Sequence, residues 1–193
     1  MIDQIALLKN AVTPEFCDHV LSQAKEFEPA KVVVGLNEAS VNSQQRVSET
    51  CWLRSMVDNL DIFQAVILAV KKANEECFNF ELYFPESLQV TLYKGGDRGM
   101  FGPHVDDGVT LPSFEYQRKL SCSIMLSDHK DYVGGDFVFY ALDQLHHPET
   151  DRFSSLKKGD AVVFPSYLPH SVDPVTEGCR ASLVSWFNGP KFK

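Results

Sequence analysis

Apolar positions in this chain recur in two different rhythms. In the first part they fall at three- and four-residue steps. Phe63, Val66, Ile67, Val70 and Ala73 give one broad apolar face, which predicts a helix over about 58–77. An earlier helix is announced by Thr13-Pro14-Glu15, an N-cap, a proline at the first helical position and an early acid. Phe16, Val20 and Ala24 then share a face until Pro29 stops it. A short strand over 31–34 ends at Gly35, and the polar stretch 37–45 reads as a loop. From Leu88 onward the rhythm shortens to β-type runs at 88–93, 101–106, 120–126, 136–140, 161–164, 168–172 and 181–187. Gly95-Gly96, Gly134-Gly135, Asp173-Pro174 and Glu177-Gly178 mark the turns between them. Many short strands behind two helices predict an α+β fold. Its core is a small jelly roll with the helices packed on one outer face.

The chain has 193 residues, 44% of them hydrophobic, and carries no internal repeat, low-complexity tract or linker. One domain is expected over 1–193, with a helical part at about 1–80 and the jelly roll at about 81–190. No run approaches the roughly 20 apolar residues that span a bilayer. The first ten residues also lack the basic start of a secretory signal, so a cytoplasmic protein with no membrane association is expected. Cys17, Cys51, Cys77, Cys122 and Cys179 are odd in number and never spaced Cys-x-x-Cys. That argues for buried reduced thiols over a disulfide framework or a zinc site. The formal net charge of −8 disfavours a nucleic-acid partner, which needs a basic surface to displace phosphate counterions. Oligomeric state is left open.

Candidate chemistry begins at Phe101-Gly102-Pro103-His104-Val105-Asp106. Two residues apart on a strand, His104 and Asp106 would point to one face. A second imidazole would complete the two-histidine, one-carboxylate set that holds non-haem Fe(II) with open positions. His170 supplies one, in Phe164-Pro165-Ser166-Tyr167-Leu168-Pro169-His170. The turn residues that follow suggest a hairpin returning Arg180 to the strand beside His170, with Ser182, Val184 and Trp186 continuing its parity. An arginine turned into such a core needs an anion. On residues alone, that anion is either a protein carboxylate or a bound one.

Taken together, Tyr93, Gly95-Gly96, Phe101, His104-x-Asp106, Gly134-Gly135-Asp136, Phe164-Pro165, His170, Val172-x-Pro174-Val175, Arg180 and Trp186 resemble, in order, the prolyl-4-hydroxylase-like branch of the Fe(II)/2-oxoglutarate oxygenase superfamily, including its small PKHD-type hydroxylases. The resemblance covers about half the chain, from Leu88 to Trp186. It implies a double-stranded β-helix (cupin-like) core, with Fe(II) held by His104, Asp106 and His170. No catalytic group beyond these ligands is implied. It gives Arg180 the distal carboxylate of 2-oxoglutarate and places Tyr93 in the same pocket, with Ser121 or Ser123 adding a hydroxyl contact. Trp186 is either a wall of the site or a plain core residue. Phe101 stands beside the first ligand where the family often has a tyrosine, so a phenol hydrogen bond is missing there.

The implied reaction consumes O2 and 2-oxoglutarate, releases succinate and CO2, and hydroxylates a C–H bond, with ascorbate as an auxiliary reductant. A prolyl or other residue of a peptide or protein is the first substrate expectation. The alternatives are a free amino acid or other small molecule, and a non-catalytic metal-binding module that senses or docks. The 112–118 segment is a candidate substrate cover. Asp107 should point away from the metal, while His146-His147, His129 and His19 read as solvated or helical positions. Arg46 reads as one half of a structural ion pair.

Overall fold

The computed structural model describes residues 5–34, 38–106, 116–140 and 150–192. The expectations for Asp107, His146-His147, and residues 112–115 of the candidate cover lie outside the described residues. In chain order the elements are β1 (Ala6–Leu8), α1 (Pro14–Gln23), β2 (Glu28–Pro29), β3 (Val32–Val34), β4 (Glu38–Ser40), β5 (Arg46–Val47), β6 (Glu49–Leu53) and α2 (Leu60–Ala73). A π-helical turn, Asn74–Phe78, closes α2. There follow β7 (Leu88–Lys94), β8 (Met100–His104), β9 (Tyr116–Met125), β10 (Tyr132–Gly134), β11 (Phe137–Tyr140), β12 (Thr150–Phe153), β13 (Ala161–Pro165), β14 (His170–Val172) and β15 (Val175–Pro190).

These strands form the two facing sheets of an α+β jelly roll. The main sheet has eight strands, in the order β1-β13-β9-β15-β7-β6-β2, with β10 added to β15. The smaller sheet has five, in the order β12-β11-β14-β8-β5, and β3 and β4 pair separately. Strand alternation assigns each residue of the main sheet to one of two environments. Leu88 and Val90, Leu120 and Ile124, Ala161 and Val163, and Ala181 and Leu183 pack in one cluster with Val20 of α1 and Ile62, Phe63, Val66 and Val70 of α2. Tyr93, Met125, Val162 and Phe164 instead join Phe137, Phe139 and Val172 of the smaller sheet in a second cluster. The helices therefore share one face of the main sheet, as their apolar periodicity predicts, and the smaller sheet covers the other.

Helix α1 begins as expected: Thr13 Oγ1 accepts from the Phe16 backbone N–H at 3.2 Å. It ends at Gln23, well before Pro29, because Glu28 and Pro29 are drawn out to pair with Thr50 and Glu49. Helix α2 starts two residues later than the expected 58–77, and its last turn, Asn74–Phe78, is π-helical rather than α-helical. Asn79 closes it in the left-handed region at φ 53°, and Asn74 bonds Phe80 through both side-chain atoms.

The first third holds more strand than its patterning suggested. β1, β2 and β6 join the main sheet, β5 joins the smaller one, and Glu38–Ser40 forms a strand inside the stretch expected to be loop. Each is too short to show an alternation of its own. No helix among the described residues is long and apolar enough to cross a membrane. All five cysteines are free, but only Cys17, Cys51 and Cys122 are buried. Cys77 is exposed and Cys179 half-buried, which corrects the expectation that all would be inside.

Candidate metal centre

His104 ends β8 and His170 begins β14, and the two residues are register partners on these paired strands. Their rings stand 4.2 Å apart, centroid to centroid. Each imidazole is oriented in the same way. His104 Nδ1 donates to the Gly102 carbonyl at 2.8 Å, and His170 Nδ1 donates to the Leu168 carbonyl at 2.9 Å. A carbonyl can only accept, so both Nδ1 atoms carry the proton and both Nε2 lone pairs are free to ligate. Those Nε2 atoms lie 3.7 and 3.5 Å from the two carboxylate oxygens of Asp106. One ligand atom from each residue falls within 4.8 Å of the others.

Asp106 sits beyond the strand rather than in it, so alternation does not place its side chain; hydrogen bonds do. Its N–H donates to the Ser166 carbonyl at 2.8 Å, its carbonyl accepts from Arg118 Nη1 at 3.2 Å, and the Ser121 hydroxyl bonds its carboxylate. Ser121 is itself paired with the Ser166 hydroxyl at 3.0 Å. Burial would raise the Asp106 pKa. The two imidazoles, Ser121 and Arg118 outweigh it and leave the pKa below the ordinary carboxylate value. Burial, together with His170, pushes His104 down to about 4. Two imidazoles facing one carboxylate form the donor set that a divalent iron accepts.

The smaller sheet also buttresses this centre. Phe101 stacks flat on His104, with 3.5 Å between centroids and 15° between planes. Arg46 lies 4.5 Å from the Phe101 ring centre and bonds Ser48 Oγ at 2.8 Å. No carboxylate among the described residues pairs with Arg46, which corrects its reading as half of an ion pair.

Arg180 is not on the strand beside His170. Chain segments β14 and β15 part after Asp173-Pro174 and enter different sheets, so Arg180 looks at the metal centre across the sandwich. Its register partner is Tyr93. The side chain is 1% exposed, with its guanidinium carbon 5.5 Å from the Tyr93 ring and 5.7 Å from the Phe137 ring. It donates to Met125 Sδ at 3.4 Å and is hydrogen-bonded with the Tyr132 hydroxyl, while Nε has no partner. No carboxylate among the described residues reaches it. Burying a guanidinium without a counter-charge is costly, and the cavity it lines also holds Tyr93, Ser123, His104, Asp106 and His170. That is the environment a dicarboxylate needs: a metal centre for one end and a planar cation for the other.

Gly135 makes room for this arrangement. At φ +68° its missing Cβ would lie 3.0 Å from Arg180 Cδ. The parity expected along β15 holds, since Arg180, Ser182, Val184 and Trp186 all line the cavity. Trp186 lines the cavity at 7% exposure, and its Nε1 is without a partner.

Sequence reasoning missed Gln89, Arg118 and Ser166. Only Gln89 carried a signal, a polar residue alternating with Thr91 on the otherwise apolar β7; Arg118 and Ser166 carried none. Gln89 lines the cavity and bonds Thr91 at 2.7 Å. His19, by contrast, pairs with Asp61 on the helical side at 2.8 Å, and His129 with Asp128 at 3.0 Å.

Comparison with known proteins agrees with this geometry. The chain is 30% identical over 169 residues to the PKHD-type hydroxylase YbiX of Shigella sonnei, a match covering 86% of this chain and 68% of that protein. It spans a smaller share, 37%, of a PKHD-type hydroxylase from Colwellia psychrerythraea. A prolyl-4-hydroxylase from Pseudomonas putida superposes with a TM-score of 0.70 at 17% identity, covering 97% of this chain and 94% of the other. A prolyl hydroxylase from Trichoplax adhaerens, solved with a peptide fragment of the hypoxia inducible factor oxygen degradation domain, superposes with a TM-score of 0.68 at 15% identity, covering 96% and 84%. Sequence features of the 2OG-Fe(II) oxygenase superfamily match residues 88–188, more than half of the chain, and the chain belongs to that superfamily.

Proposed function

We propose that the protein is an Fe(II)- and 2-oxoglutarate-dependent dioxygenase that hydroxylates a prolyl or other residue of a peptide or protein. The observation that carries this reading is the buried guanidinium of Arg180, without a carboxylate partner among the described residues, in the same cavity as His104, Asp106 and His170. The relatives named for PKHD-type or prolyl hydroxylation, one of them solved with a peptide, support the substrate class.

His104, Asp106 and His170 would hold the iron, leaving the remaining positions for the cosubstrate and O2. When bound, iron and 2-oxoglutarate supply the oxidising power: O2 and 2-oxoglutarate give succinate and CO2 while one oxygen atom enters a substrate C–H bond. Arg180 holds the far carboxylate, with Tyr93 and Ser123 lining its path, and so fixes the cosubstrate's direction before reaction. Phe101 and Phe164 keep the cavity apolar around the ligands and exclude water. Trp186 and Phe101 border the side from which substrate approaches. Five free thiols suit a reducing compartment, so we place the enzyme in the cytoplasm.

The test is succinate formed from 2-oxoglutarate by the purified protein with Fe(II), ascorbate and air, with and without a peptide pool, beside His104→Ala. Iron- and His104-dependent succinate, stimulated by the pool, is the expected result. Iron binding without succinate in either condition would leave a non-catalytic metal-binding module.

A further inference from the structure

The metal cavity opens into a groove of about 1250 Å³, and the two share Arg46, Gln89, Phe101, His104, Asp106 and Trp186. The groove exceeds the range of about 300–1,000 Å³ usual for small-molecule pockets. Its charge runs against that of the protein. The whole chain has 18 basic and 26 acidic residues. The described groove lining has Lys25, Lys31, Arg46 and Arg54 against Glu26 and Glu28, apart from Asp106 of the metal centre and Arg118, whose charge is met by Glu86.

Within the groove, both tryptophans of the chain form a shelf. Trp52 on β6 and Trp186 on β15 lie diagonally across β7: Trp52 pairs with Gln89, and Gln89 with Val184. Their rings are 6.0 Å apart and inclined by 32°. A cation flanks each ring, Arg54 at 5.5 Å from Trp52 and Arg118 at 4.4 Å from Trp186. The two cations differ in what else holds them. Arg118 is saturated, with Nε and Nη2 on the Glu86 carboxylate at 2.8 and 2.6 Å and Nη1 on the Asp106 carbonyl. Arg54 has no carboxylate partner among the described residues. The ring of Trp52 orients it at the mouth of the groove, where Trp52 itself is 37% exposed. The shelf also keeps an unpartnered donor, since Trp186 Nε1 is buried with no acceptor.

Resting on the peptide-hydroxylase reading, we propose that this groove takes an acidic peptide segment. Its backbone and apolar side chains lie on the Trp52–Trp186 shelf, and Arg54 reads a carboxylate flanking the hydroxylated residue. The opposition of sign between groove and protein favours an anionic partner and penalises a basic one, which is how a charged groove selects among otherwise similar chains. An indole flanked by a guanidinium offers an apolar face and a bidentate donor in one place.

The test is a panel of synthetic peptides with one central proline and flanks of Asp/Glu, Ser/Gln or Lys. Each is assayed with Fe(II) and 2-oxoglutarate for succinate and for oxygen incorporation into the peptide. The acidic peptide is expected to exceed the basic one by about tenfold or more in kcat/KM, with the difference shrinking as salt rises and screens the contact. Arg54→Glu should lower kcat/KM for the acidic peptide by about tenfold and raise it for the basic one. A gain on the basic peptide cannot come from misfolding. Hydroxylation with equal efficiency whatever the flanking charge, or an unchanged preference in Arg54→Glu, overturns the inference and leaves the peptide-hydroxylase reading intact. Iron-dependent succinate with no peptide of any charge modified overturns both. Competition by a single-stranded oligonucleotide that exceeds that by the acidic peptide would replace the peptide with a nucleic acid.

Discussion

His104 and His170 face each other as register partners on adjacent antiparallel strands, and each gives its Nδ1 proton to the carbonyl two residues before it. This repeated local bond turns both Nε2 atoms toward Asp106, so the protein's own hydrogen bonds orient the donor set. Preorganisation of this kind means that metal binding should stabilise the folded state without requiring it.

Removing a ligand should therefore silence the protein without unfolding it. His104→Ala and His170→Ala are expected to abolish Fe(II)-dependent succinate formation while keeping the far-ultraviolet circular dichroism of the parent. At a hundredfold excess of metal over its Kd, the parent should gain about 2.7 kcal/mol, roughly 5–10 °C in Tm for a chain of this size. Thermal scans with Mn(II) check this, and a full metal-induced shift in either variant would remove that histidine from the centre.

Arg180 offers a prediction of opposite sign for two readouts. Arg180→Gln should raise the KM for 2-oxoglutarate by about a hundredfold, through the lost bidentate contact. In the absence of cosubstrate it should cost little stability or even add some, because a buried guanidinium without a carboxylate partner among the described residues is relieved, against the loss of its bond with Tyr132. Thermal scans with and without 2-oxoglutarate separate the two. A large loss of apo stability would show that Arg180 is mainly a structural residue.

Asp160 gives the fold a pH dependence away from the metal centre. Its carboxylate accepts from Lys9 Nζ at 2.9 Å and from the backbone N–H groups of Asn10 and Lys157, each at 3.0 Å. Burial would raise its pKa, but these three donors prevail and hold it below the ordinary carboxylate value. A carboxyl group whose folded pKa is depressed contributes stability above its unfolded pKa and loses it as pH falls through the folded one. Asp160→Asn should destabilise the protein by about 2–3 kcal/mol at neutral pH, since an amide N–H would face a backbone donor. The gap between variant and parent should narrow below about pH 4, which urea titrations across that range would measure.

Gly135 and Gly96 form a matched pair for testing the cavity floor. An alanine at Gly135 would bring Cβ within 2.8 Å of Val175 Cγ2 and 3.0 Å of Arg180 Cδ at φ +68°, whereas one at Gly96 meets nothing within 4 Å. Gly135→Ala should cost about 1–3 kcal/mol and weaken 2-oxoglutarate binding, and Gly96→Ala should be neutral within about 0.5 kcal/mol. A loss of stability in Gly135→Ala with 2-oxoglutarate binding unchanged would show that Gly135 serves only its turn.

The two helices, the strand-rich half and the three residues of the candidate centre were legible along the chain alone. Periodicity needs only neighbours along the chain, so Val66 and Val70 declare a helix face and Arg180, Ser182, Val184 and Trp186 declare a strand face wherever they are placed. Which strands pair was a tertiary decision. The turn at Asp173-Pro174 looks the same in sequence whether β15 folds back on β14 or crosses to the other sheet. Burial of the apolar face shared by Ala181 and Leu183 against the helices draws it across, and Arg180 thereby comes to face the histidines from the opposite sheet. The same holds for β5 and β6, whose few residues carry no readable rhythm yet bring Arg46 onto Phe101 and Trp52 onto Trp186. Asp106 is the plainest case. Its spacing from His104 is local, but it lies past the end of the strand, and only Ser121, Ser166 and Arg118, arriving from distant segments, hold its carboxylate toward both imidazoles.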